Sequence, residues 1–478
     1  MKNFMKKWGI WLLAAVILVG AVTLGGRNGA VPNSDPTDPK ANTATGTVDQ
    51  TPANDNGIVA LDDEEVNEDG EGSDAVQELI PEAPIPTVKD PLSWDDINAF
   101  PIKTSDMSTD EARQLCVDFF KFSKLAAWTP DVTVKYIRNA SGSHDSMSKG
   151  TIYGGFPYVG VASGSVYRMM EFIDENGVVD MQKALGDHAD LSQELTMYNL
   201  KYFGNQCSIG AWWGWARVIN SANYLWTQNV HTGRGFVKVG DFEGGETEWN
   251  ATNNRTTDCL ANNGTEKMFA CYAQLHKGDC MVYYTSAGHV IMASSDPVVV
   301  RLSDGTVDGE NSYIYITDQA QKRYEYTNDA GDTLLYESSV DSKRTFQQLF
   351  DGNYVPYTFE EFLGTDPIEE TQVSFSHSGA TITKSQLFEA SVSANYSISD
   401  TYVIVTDQSG NEVYRHMVMA STAGDNDMRI RETNEGYELS AKCVRTWGKL
   451  ESGTYNVEVE VQLGTGERPT VYVGTLIV

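Results

Sequence analysis

From residue 31 to residue 91 the chain is rich in Asp, Glu, Pro, Thr, Asn and Gly and almost without aromatic side chains, so it cannot bury enough apolar surface to offset its chain entropy. A packed core is thereby confined to the residues beyond it. At 478 residues the whole chain is too long for one ordinary domain and leads to an expectation of two or three units. Ahead of the acidic stretch, residues 1–30 place Lys2, Lys6 and Lys7 before the run WGIWLLAAVILVGAVTLGG, the pattern of an export signal peptide or a membrane anchor. No A-x-A site comes after the run, so cleavage and retention both stay open, and no Cys stands at its end to carry a lipid. The stretch 31–91 then reads as an acidic linker that extends by self-repulsion and holds a domain away from the membrane.

A net charge of −31 repels phosphate backbones and argues against a nucleic-acid partner. The six cysteines (Cys116, Cys207, Cys259, Cys271, Cys280 and Cys443) are too few for a disulfide scaffold of this size, so stability must come from packing. One pair among Cys259, Cys271 and Cys280 is open to bridging outside the cell, and the sequence does not choose it.

Folded structure is expected from about residue 92. The first firm helix is STDEARQLCVDFFKFSKLAAW, where Ser108 and Glu111 have capping-box spacing and Ala112, Leu115, Cys116, Phe119 and Ser123 share a stripe. Cys116 is accordingly expected to be a buried, inert thiol. Segments over 132–160 read as strand and turn, and 163–200 reads as mostly helical with breaks at Gly177 and Gly186. The stretch 278–358 carries strand signals (CMVYY, HVIMA, VVVRL, SYIYIT, KRYEYT) separated by turn residues, and predicts an antiparallel meander. After FEEFLGTDPIEE the pattern changes. In TYNVEVEVQL, Tyr455, Val457, Val459, Val461 and Leu463 alternate with polar residues, so 369–478 is expected to form an immunoglobulin-like β-sandwich.

Three segments carry candidate chemistry. YFGNQCSIGAWWGWARVINSANYLW sets Cys207 at the start of an apolar helix marked by Trp212, Ala216, Ile219, Ala222 and Trp226. A thiol there meets the positive end of the helix dipole and unpaired backbone N–H groups, which favour a thiolate and can bind an oxyanion. KGDCMVYYTSAGHVIMASS reads as a hairpin whose second strand opens with His289, anchored by the apolar run behind it. In NSYIYITDQAQ, alternation sets Ile314, Ile316 and Asp318 on one face, so Asp318 can accept the second imidazole N–H, with Gln319 as the alternative orienter. Cys at a helix start, His on a hairpin strand and a polar orienter on the next strand form the papain-like arrangement. It predicts an α+β fold over 92–368, with helices packed on an antiparallel sheet, ahead of the sandwich.

GNQCSIGAWWGWA together with GDCMVYYTSAGHVIM resembles the nucleophile and histidine motifs of NlpC-type and CHAP cell-wall cysteine hydrolases. The matching positions are Cys207-Ser208, Gly278-Asp279 and Gly288-His289-Val290, and ITDQ is similar to the strand on which CHAP domains carry an acidic orienter, which falls on Asp318. YGGFPYVG resembles the Tyr-Gly-x-Pro-Tyr segment of NlpC-type domains, which implies an oxyanion role for Tyr158; Gln206, next to the nucleophile, belongs to the same subsite. The likeness spans roughly 150–320. It departs from those families in the long separation of Tyr158 from Cys207 and in an insertion containing Cys259 and Cys271. The resemblance implies a peptidase or amidase acting on peptidoglycan peptides at a bacterial cell surface, with no cofactor.

Two other functions stay open: a catalytically inactive surface binding or adhesion protein on a hydrolase-like fold, and a transglutaminase-like acyl transferase. The turn SDGTVDGEN, with Asp304, Asp308 and Glu310, lacks the alternating ligands of a calcium loop and reads as a hairpin turn. His231 and His276 have no partners at metal-ligand spacing, so no metal is expected.

Overall fold

In the computed structural model the described residues are Ile97, 100–139, 142–160, 164–186, 189–220, 227–233, 235–285, 287–320, 324–327, 331, 333–419, 427–430 and 450–478. The N-terminal segment, the acidic linker, Ala222, Trp226 and Cys443 lie outside them. Among the described residues the fold is mixed α+β, with eight α-helices and five open sheets. No helix among them is long and apolar enough to cross a membrane.

Helix α1 (Thr109–Leu125) begins where Ser108 and Glu111 cap each other: the Glu111 N–H donates to Ser108 Oγ at 3.3 Å and the Ser108 N–H to Glu111 Oε2 at 2.9 Å. Its expected stripe is buried, Cys116 included, and burial pushes the Cys116 thiol well above its ordinary range. Helix α2 (Cys207–Trp215) packs on α1. All nine of its residues are buried, and it ends at Ala216, short of the run to Trp226 that the apolar pattern predicted.

A six-stranded sheet supports both helices. It uses β1 (Phe236–Lys238), β2 (Cys280–Tyr284), β3 (Gly288–Ala293), β4 (Tyr313–Asp318), β5 (Ser342–Thr345) and β6 (Val355–Phe359) in the order β5-β4-β3-β2-β6-β1, every pair antiparallel. The predicted meander thus holds for β2, β3 and β4. KRYEYT instead contributes Tyr324–Thr327 to a separate five-stranded sheet, and VVVRL forms only isolated bridges at Val298 and Arg301.

Two segments depart from expectation. The described residues of 163–200 hold only short helical pieces and two-residue strands: the breaks at Gly177 (φ 87°) and Gly186 (φ 89°) fall where expected, and Asp174 Oδ1 also accepts the N–H groups of Asn176 and Val178, both at 2.9 Å. The insertion after α2 forms a helix as long as α1, α3 (Thr256–Tyr272), broken at Gly264 (φ 74°) and packed on β2 and β6. Cys116, Cys207, Cys259, Cys271 and Cys280 are all free thiols, so no disulfide forms among the three candidates.

Toward the C-terminus, a three-stranded and a five-stranded sheet share an apolar cluster that includes Val392, Val403, Val457, Val459 and Leu463. The strand Thr454–Leu463 buries Val457, Val459, Val461 and Leu463, as its alternation predicted. This region is joined to the short helix Val166–Met170 by a buried ion pair, Arg168 Nε to Asp400 Oδ1 at 2.8 Å, with side chains 1% and 0% exposed. A Cβ added at Gly464 would stand 2.8 Å from Ala216 Cβ, so backbone close to glycine dimensions packs directly on the end of α2.

Candidate active site

The hairpin β2–β3 pairs Tyr283 with His289 and so holds the imidazole at the mouth of β3. Strand β4 pairs Asp318 with Ile291 in the neighbouring register, which brings the carboxylate diagonally to the imidazole. His289 Nε2 lies 2.8 Å from Asp318 Oδ2, and the Ser339 N–H donates to Asp318 Oδ1 at 2.8 Å. Both carboxylate oxygens are therefore engaged, one of them by the backbone, which fixes the carboxylate in rotation. Gln319 points elsewhere: its Oε1 accepts from Lys124 Nζ at 2.7 Å and its Nε2 donates to the Glu337 and Phe156 carbonyls at 2.8 and 3.2 Å. Of the two possible orienters, Asp318 is the one that meets His289.

Because Nε2 is taken by Asp318, Nδ1 is the ring nitrogen left for Cys207, whose sulfur is hydrogen-bonded to the His289 side chain. The Val290 N–H and the Thr227 hydroxyl also hydrogen-bond the sulfur, and the Gly288 carbonyl lies 3.9 Å away. Burial by itself would push the Cys207 thiol up, but the charge and hydrogen bond of His289 outweigh it and hold the thiol below its ordinary value. Burial likewise disfavours the imidazolium, yet Tyr354, the sulfur and the Asp318 carboxylate together raise His289 well above its ordinary value. For Asp318, burial is overcome by His289 and by the Ser339 N–H, so it stays below the usual carboxylate range. The three shifts point the same way, toward a thiolate, an imidazolium and a carboxylate in one row. Cys207 is 1% exposed while the His289 side chain keeps 21%, so solvent reaches the group from the imidazole side.

Gln206 is the N-cap of α2 and offers no side-chain cap, and the first-turn N–H groups of a helix have no intrahelical acceptors. Tyr158 is brought to this loop through the backbone: it bridges Asn205, with the Val159 N–H donating to the Asn205 carbonyl at 2.7 Å and the Asn205 N–H to the Pro157 carbonyl at 2.9 Å. The long interval between Tyr158 and Cys207 thus loops out and returns to the same edge.

Four neighbours were not singled out from the sequence. Ser339 and Thr227 come from loops far along the chain, and no local pattern marks them. Tyr354 places its ring centroid 6.5 Å from that of His289; the Tyr272 hydroxyl anchors its backbone by donating to its carbonyl at 2.7 Å. Lys124, fully buried, carried the one legible signal, a lysine among the apolar residues of α1.

The acidic turn uses its carboxylates locally, Asp304 Oδ1 accepting the Thr306 N–H at 2.9 Å and Asp308 Oδ1 accepting from Glu310 and Asn311, both at 3.1 Å. Among the described residues no group of three or more His, Cys, Asp or Glu side chains is placed to hold a metal ion. His231 packs between the rings of Trp249 and Tyr357, both centroids at 5.0 Å, and burial lowers it to about 4. A surface cleft of about 430 Å³ along α1, lined by Phe100, Met107, Leu115 and Asp118 among others, includes none of the candidate site residues.

No family model matches this chain, and neither a curated protein nor a solved structure matches it.

Proposed function

We propose that the chain is an exported cysteine peptidase or amidase of papain-like architecture, cleaving amide bonds in peptidoglycan peptides at the bacterial cell surface. The observation that carries this reading is the position of the His289 imidazole, bonded on one side to Asp318 and on the other to the Cys207 sulfur at a helix start. The thiolate attacks the amide carbonyl carbon and forms a C–S bond; the imidazolium then delivers its proton to the leaving nitrogen as the C–N bond breaks. Water, deprotonated by His289, cleaves the thioester and restores the thiol. Asp318 orients the ring throughout, and the first-turn N–H groups of α2, with Gln206 and Tyr158 beside them, face the developing oxyanion.

The substrate class rests on the likeness to NlpC-type and CHAP hydrolases. In this reading residues 1–30 anchor or export the chain through the membrane, 31–91 act as its spacer, 92–368 form the hydrolase, and 369–478 form an immunoglobulin-like sandwich that positions it. The test is incubation of the full chain with purified peptidoglycan and a labelled amine. Release of new amino groups that Cys207→Ala abolishes supports the hydrolase, whereas incorporation of the amine identifies an acyl transferase.

The 1% exposure of Cys207 favours a second reading, a binding or adhesion protein that keeps the fold without turnover. Retention on the wall with neither amine release nor incorporation would select it.

A further inference from the structure

Lys124 is a buried basic residue beside the site that the chemistry above leaves unused. It sits in the last turn of α1, where the carbonyl end of a helix favours a cation, and its side chain is fully buried. Its Nζ donates to Gln319 Oε1 at 2.7 Å, on the residue after Asp318, and lies 4.7 Å from the Phe120 ring centroid. A Cβ added at Gly210 would come 2.8 Å from Nζ, so the head group rests in the gap that glycine leaves in the first turn of the nucleophile helix. The chain therefore seats an ammonium donor between the helix that carries Cys207 and the strand that carries Asp318.

Resting on the hydrolase reading, we propose that Lys124 is the counter-charge of the Cys207–His289–Asp318 group, a positioning residue that makes its charge-separated state tolerable in a buried setting. In that state the group holds two anions against one cation, and an uncompensated buried charge is strongly disfavoured. The Lys124 ammonium brings the balance to zero without touching substrate. The ionisable groups acting on it are Asp318 and Cys207; Glu337, on the strand side, is engaged by Arg138. Burial pulls Lys124 well below its ordinary value, and Asp318 and Cys207 oppose that pull, so the two anions favour its charged form. On the sulfur itself His289 is the stronger influence, and Lys124 acts on the group as a whole.

The test is the pH dependence of Cys207 carbamidomethylation by iodoacetamide in the full chain, wild type against Lys124→Met, read by mass spectrometry. Methionine keeps the length of the side chain and removes the charge. The proposal expects the midpoint to move up by about one pH unit, roughly tenfold less thiolate at a fixed mildly acidic pH. An unchanged midpoint in a folded variant overturns it. If the wild-type midpoint itself stands at the ordinary thiol value of 9.0, the hydrolase reading fails first, so the two failures are distinguishable. If Lys124→Met does not fold, melting of Lys124→Met/Asp318→Asn decides: recovery of a folded chain supports charge compensation, and a loss at least as severe shows that the lysine serves packing alone.

Discussion

His289 and Asp318 meet through Nε2 and Oδ2 at 2.8 Å although they stand on different strands, and the Ser339 N–H holds the other carboxylate oxygen at the same distance. The carboxylate is thus a fixed point against which the imidazole is set, and the ring's remaining nitrogen is turned to the sulfur. Geometry of this kind separates positioning from charge, because an amide can keep the first while removing the second.

Asp318→Asn is expected to lower turnover at least about 100-fold with little change in fold. The imidazolium loses its partner, so His289 shifts down and the pH range over which thiolate and imidazolium coexist narrows from its alkaline side. Rates measured across pH check this; a variant with wild-type rates would show that the carboxylate only packs.

Glu361 gives a stability prediction with a definite sign. Its carboxyl is buried, with Oε1 accepting the Asn220 N–H at 3.3 Å, and is raised by burial to about 7 from an ordinary 4.5. A carboxyl whose folded value lies above its unfolded value binds its proton more tightly when folded, so stability falls as pH rises from about 4.5 to 7. Glu361→Gln removes that loss and should gain about 2–3 kcal/mol at pH 8 relative to pH 4, as denaturant melts at the two pH values would show.

The sequence made the grouping of the candidate site residues more legible than the architecture around them. Ser108 with Glu111, the hairpin that opens at His289, and the alternation through Asp318 are local patterns, and local hydrogen bonding and strand pairing enforce each of them. Alternation also made the valines of Thr454–Leu463 legible as the dry face of a strand. What stayed hidden depends on contacts distant in sequence. Trp226 shares the apolar spacing of α2, but the helix ends at Ala216, where the backbone turns and Gly464 packs against it. Short polar caps such as Asp174 broke up 163–200 because they compete with helix for the same N–H groups, which hydrophobic spacing does not register. Lys124 shows in the sequence only as a lysine among the apolar residues of α1, and its partner Gln319 stands 195 residues further on.

Arg168 and Asp400 tie the C-terminal sheets to the rest of the chain. Arg168→Met leaves Asp400 buried without its cation and should cost about 3–5 kcal/mol, while Arg168→Met/Asp400→Asn should lose less than the sum of its single changes. Urea melts of the full chain measure both. Additive losses would mean that the pair contributes as two independent packed side chains.

The ion pair of Cys207 and His289 is tested most directly by ultraviolet thiolate absorbance against pH, recorded as wild type minus Cys207→Ser, which needs no reagent to reach a sulfur that is 1% exposed. A thiolate signal is expected already at pH 6, lost in a His289→Gln background. A difference signal that emerges only near the ordinary thiol value of 9.0, with or without His289, would contradict it.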